Sequence, residues 1–154
     1  MKAIEYYTID KSKWGQGEWS HEPDKAQWQD KDTGLPCLAV RHTSCGHWCG
    51  YVGVVKDHPY FQKDYNDCDV DVHGGLTFAS LCDHKEKPET GVCHIPEPGE
   101  DDHVWWLGFD CAHLGDLCPA YDYTHNYSSY KDLGYVKYQC EQLARQLYAL
   151  TEAP

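Results

Sequence analysis

The clearest pattern in the chain is a helical stripe near its end. Leu133, Val136, Cys140, Leu143, Leu147 and Leu150 recur at spacings of three and four, the period that puts one apolar face on a helix. This predicts a helix over Lys131–Leu150, with Ser129 and Asp132 as a variant capping box at its start. Upstream, apolar residues gather in strand-length runs. Leu35–Arg41 (LPCLAVR) and Trp48–Lys56 (WCGYVGVVK) read as strands joined through Cys45-Gly46-His47, which predicts a hairpin. Gly50 and Gly53 in the second run predict a bulge or a close backbone approach. Val70–Ala79 (VDVHGGLTFA) alternates and then meets two glycines, so it reads as a strand broken or bulged at Gly74-Gly75. Val104–Phe109 (VWWLGF), with Asp110 directly after it, reads as a central strand.

Ile4–Ile9 predicts a strand. The rest of 1–34 carries Trp14, Trp19 and Trp28 without a period and reads as an irregular arm. Phe61–Asp69 reads as a short helix or loop. Asp83–His103 holds Pro88, Pro96, Pro98, Gly91 and Gly99 and predicts a long surface loop of the kind that often carries function. Together these runs predict a single α+β domain over 1–154, a mostly antiparallel sheet packed by the C-terminal helix.

Charge narrows the partners. The formal net charge is −12, and Arg41 and Arg145 are the only arginines. No basic stripe is present to displace counterions, so a nucleic-acid duplex is not an expected partner. A membrane surface is disfavoured for the same reason. A small anionic ligand would need another source of positive charge, and a divalent metal supplies one. There are 9 cysteines. The first residues show no apolar signal-peptide core, and no run reaches the length of a membrane span. The expectation is a cytoplasmic protein with reduced thiols.

The candidate chemistry lies where Val72–Phe78 (VHGGLTF) meets Trp105–Asp116 (WWLGFDCAHLGD). Asp110 ends an apolar strand, a common place for a site. His113 and Asp116 follow at intervals of three, which places all three side chains on one side of a helical turn. Imidazole and carboxylate together suit zinc, manganese or iron, with zinc or manganese the expected ion. The expected metal ligands are His73, Asp110 and His113. Asp116 is expected as a further ligand or general base, and His73 as a second catalytic group. Gly74 and Gly75 would let a ligand or another segment approach the backbone. Trp105 and Trp106 would point to opposite faces, one of them free to stack on a ligand, with Tyr121, Tyr123, Tyr127 and Tyr130 lining the same cleft.

A structural reading competes with each of these. His73 would tie down a turn, Asp110 would cap the segment after it, and the tryptophans would pack a sheet covered on both sides. Asp-x-x-His-x-x-Asp is not a specific signature. In the segment His42-Thr-Ser-Cys-Gly-His-Trp-Cys, Cys45-x-x-x-Cys49 with His42 or His47 is a second zinc candidate. It ranks below the first because its spacing is loose and no second Cys-x-x-Cys pair follows. His42-Thr43-Ser44 lacks the partner motif of a two-histidine phosphoesterase and is set aside. Cys111 and Cys140 read as buried apolar thiols.

The blocks CGYVGV, HPY, VHGGLTFA and VWWLGFDCAHLGD resemble a family of uncharacterised small proteins of bacteriophages and bacterial genomes. The resemblance spans residues 37–150, and its VHGGLT and WWxGFDCAHxGD blocks are fairly specific. It implies a phage or prophage source and a host-cell cytoplasm, and it brings no activity with it. In that setting the leading expectation is a metal-assisted hydrolase, a phosphoesterase among the options, acting on a small nucleotide-like substrate. The alternatives are a non-catalytic accessory protein that binds a small molecule or a host protein, and a His/Asp cluster that only braces the fold.

Overall fold

The computed structural model describes residues 1–121 and 128–152. Six strands form one sheet: β1 (Ile4–Tyr6), β2 (Lys25–Gln29), β3 (Pro36–Arg41), β4 (Trp48–Val54), β5 (Phe78–Leu81) and β6 (Trp105–Asp110). Their order is β1-β2-β3-β4-β6-β5, and every neighbouring pair is antiparallel. The helix α1 (Leu133–Ala149) packs on β4 and β3. The expected α+β class is the observed one. Among the described residues, no helix is long and apolar enough to cross a membrane.

The interior strands β3, β4 and β6 are the apolar runs of the sequence because both of their faces are covered. On one face Val136, Cys140, Leu143 and Leu147 of α1 join Cys37, Val52, Leu107 and Phe109 in the main core. On the other, Leu38, Tyr51, Val104 and Trp106 form a smaller core closed by Val92 and Cys82 of the long loop after β5. β4 and β6 pair without interruption from Cys49↔Asp110 to Val54↔Trp105, so no bulge forms. Gly50 instead gives the close approach, since a Cβ there would stand 2.4 Å from the Phe109 ring and 3.0 Å from Cys140 Sγ.

The arm before residue 35 is more ordered than its sequence suggests. It contributes β2, which pairs along β3. Lys25 and Gln27 of β2 are polar yet buried. Lys25 Nζ donates to the carbonyls of Pro88, Gly91 and Cys93 at 2.5, 2.7 and 2.7 Å, and Gln27 pairs with both backbone groups of Ile95. These bonds hold the long loop on the sheet. So does a disulfide between Cys82 and Cys93, which corrects the expectation that all thiols are reduced.

The strand expected over Val70–Ala79 is confined to Phe78–Leu81. Residues 71–73 run along α1 instead. Gln146 donates to Asp71 O and accepts from Asp71 N, both at 2.7 Å, and Gln139 Oε1 accepts from His73 N at 3.0 Å. At the helix start, Asp132 is the N-cap residue, accepting from Tyr135 N at 2.8 Å. Ser129 is not part of that cap; it bridges Asp116. Glu22 Oε2 accepts from Leu133 N at 2.7 Å, which fixes the arm to the helix as well.

Candidate metal centre

Three segments meet at the end of the sheet where β3 turns into β4 and β6 stops. They are the hairpin loop 42–47, the segment 72–77 and the loop after Asp110. Asp110 pairs in register with Cys49, and Cys111 N donates to Trp48 O at 3.0 Å, so the loop after β6 leaves the sheet beside the hairpin. Arg41 anchors this corner from below. Its guanidinium is buried, stacks on Trp48, and bonds Asp24, Glu22, the Gly46 and Pro23 carbonyls and the Tyr130 hydroxyl. Tyr130 in turn donates to Glu22. Tyr130 is thus a structural residue, and Tyr123 and Tyr127 lie outside the described residues.

The expected cluster resolves into two separate imidazole–carboxylate pairs. His73 Nε2 lies 2.8 Å from Asp116 Oδ2, and His73 Nδ1 lies 2.7 Å from the Tyr135 hydroxyl. A carboxylate only accepts, so Nε2 carries a proton, and Nδ1 is paired with the Tyr135 hydroxyl. Both ring nitrogens are thus already paired within the protein. Asp116 is equally engaged, by His113 N at 3.0 Å and Lys131 Nζ at 3.2 Å. Burial alone would raise its carboxyl pKa. The bonds from His73, the His113 amide and Lys131 outweigh burial and hold it below the usual carboxylate range.

Asp110 caps the segment after β6, as the structural reading expected. It accepts from Ala112 N at 3.0 Å and from Thr77 Oγ1 at 2.9 Å. His113 Nε2 approaches Asp110 Oδ1 at 3.2 Å without hydrogen-bond alignment and has no other partner. Residues 111–116 form bends and a turn, so Asp110, His113 and Asp116 do not share a helical face. What Gly74 admits is the His113 ring. A Cβ at Gly74 would sit 2.3 Å from two of its atoms, and the backbone there has a φ of +67°. Gly75 also has a positive φ but faces open space.

The tryptophans pack both sides of the sheet. Trp106 is fully buried against His94. Trp105 donates to Lys63 O at 3.0 Å and meets Phe61. Cys111 and Cys140 are buried as expected, and burial pushes both thiols far above their ordinary range. Neither is a nucleophile at neutral pH.

The donors that do converge are in the hairpin. Among the described residues, His42, Cys45 and His47 form the group whose ligand atoms all lie within 4.8 Å of one another and could hold a metal ion. His73, Asp110 and His113 do not form such a group. The hairpin turn makes this possible: Gly46 N donates to His42 O at 2.9 Å and His42 N to His47 O at 2.8 Å, which folds the loop onto itself. The two imidazoles stack at 4.9 Å. His42 Nδ1 accepts from the amides of Cys45 and Ser44 at 3.0 and 3.3 Å, and an ion bound at Nδ1 would take over that lone pair. His47 is buried, and burial together with the neighbouring His42 pulls its pKa down to about 4. It is therefore a neutral imidazole, the ligating form, at ordinary pH.

Fold and site together define an antiparallel α+β protein with a His/Cys ligand cluster in a strand-to-strand turn. No family model matches the chain, and no curated protein or solved structure matches it either.

Proposed function

We propose that this protein binds zinc in the β3–β4 hairpin and that the ion organises the end of the sheet where its three polar segments meet. The observation that supports this reading is the convergence of His42, Cys45 and His47. Nitrogen and thiolate donors from a tight turn favour zinc over manganese, which prefers oxygen. The His73–Asp116 and His113–Asp110 pairs then serve as a polar brace that sets the loop after β6.

Metal-assisted hydrolysis, of a phosphoester above all, is the second reading. It is favoured by the carboxylates of Asp110 and Asp116, whose charges reach His47. Either carboxylate would serve as a base only within hydrogen-bond reach of a metal-bound water, which needs the ion to keep an open position.

Elemental analysis of protein purified without chelator or affinity-tag histidines tests the leading reading. It predicts about one zinc per chain in the wild type and a loss of most of that zinc in His47→Ala. Wild-type protein that takes up no stoichiometric zinc from zinc-containing buffer would contradict it. Zinc-dependent turnover of a model phosphoester separates the second reading from the first.

A further inference from the structure

Three ligands do not complete a tetrahedral zinc site, and the fourth position decides whether the ion is structural or catalytic. Cys118 Sγ lies 3.7 Å from His47 Nδ1, although the two residues are 71 positions apart in the chain. Two donors on one tetrahedral zinc, a nitrogen and a sulfur at ordinary bond lengths, stand about 3.5 Å apart. This pair is at ligand–ligand spacing, while Cys118 Sγ stands outside the 4.8 Å group of His42, Cys45 and His47, so closing the site requires the sulfur to move inward.

The backbone fixes Cys118 there. Ala120 N donates to Cys45 O at 3.0 Å. Pro119 lies over Gly46, where an added Cβ would come within 2.9 Å of the proline ring. On the other side Leu117 N donates to Ser129 O at 2.9 Å. The sulfur is thus presented to the hairpin by a segment tied down before and after it.

We propose that Cys118 is the fourth ligand of the hairpin ion and closes a Cys2His2 site with His42, Cys45 and His47. The inference rests on the hairpin reading above. Binding replaces the thiol protons of Cys45 and Cys118 with one Zn2+, so two protons leave, and two thiolates balance the ion's charge. Four protein ligands leave no position for water or substrate. The zinc then acts as a staple that ties the loop carrying His113 and Asp116 to the hairpin.

Cobalt substitution of the full chain tests this, because thiolate-to-cobalt charge-transfer absorption scales with the number of bound thiolates. The expected result is a two-thiolate spectrum in the wild type, roughly half that intensity in Cys118→Ser and in Cys45→Ser, and no change in Cys49→Ser. Wild-type protein that binds Co2+ with an intensity unaltered in Cys118→Ser overturns the fourth ligand and leaves the hairpin reading standing. Wild-type protein that binds neither Co2+ nor Zn2+ overturns both. Should Cys118→Ser fail to fold, alkylation of the wild type gives the same answer. Zinc must protect Cys45 and Cys118 from iodoacetamide together, and Cys118 that stays as reactive with zinc as without it contradicts the proposal.

Discussion

Gly74 and His113 occupy space that only one side chain can fill. A methyl group at Gly74 would overlap the His113 ring at 2.3 Å, in a backbone conformation with φ +67° that already disfavours a side chain. Gly74→Ala is expected to cost about 3 kcal/mol, the sum of left-handed strain and overpacking. Gly75→Ala, with φ +79° but open space around it, is expected to cost only about 1 kcal/mol. Urea denaturation of the two variants checks this, and equal losses would show that the His113 contact does not matter. The Gly-Gly pair was legible in the sequence as a place of close approach. That the approaching group is His113 was not, because the loop after β6 turns back through bends that no periodicity encodes. Cys118 was illegible for a similar reason: ligand motifs are recognised by short spacings, and its partner His47 lies far off in sequence.

Among the elements, the hairpin of β3 and β4, the strand β6 and the helix α1 follow their sequence patterns closely. Each buries a continuous apolar set, and the sequence shows it directly. The strand β2 does not. Lys25 and Gln27 look like solvent-facing positions but lie under the long loop, satisfied by carbonyls far along the chain. The arm before β2 is held through Asp24, which accepts from the amides of Thr8 and Ile9 at 2.8 Å and from Lys11 and Arg41 at 2.8 and 3.0 Å. Burial by itself would raise the Asp24 carboxyl, but the bonds from Lys11, Ile9 and Thr8 outweigh it and bring its pKa below the ordinary value. A carboxyl with a folded pKa below its unfolded one, about 3.9, stabilises the fold fully above that pH. The contribution is lost as pH falls through the folded value. Thermal unfolding followed from pH 7 to pH 2 is expected to show this acid loss. In Asp24→Asn stability should start lower at pH 7 and fall less steeply in that window. An unchanged slope in Asp24→Asn would remove Asp24 as its source.

At the scale of the whole molecule, one end of the sheet gathers the chemistry. The two blocks that the sequence marked, VHGGLTF and WWLGFDCAHLGD, do meet there. His73 and Asp116 satisfy one another there, and the donors suited to an ion stand next to them in the hairpin. An acidic protein of net charge −12 is well served by a cation at that corner, where the charges of Asp110 and Asp116 act on His47. The measurement that tests this most directly is X-ray absorption at the zinc edge of the zinc-loaded full-length protein. The hairpin site predicts a mixed first shell, with sulfur at about 2.3 Å and nitrogen at about 2.0–2.1 Å. A shell of nitrogen and oxygen alone, with no sulfur, would contradict it.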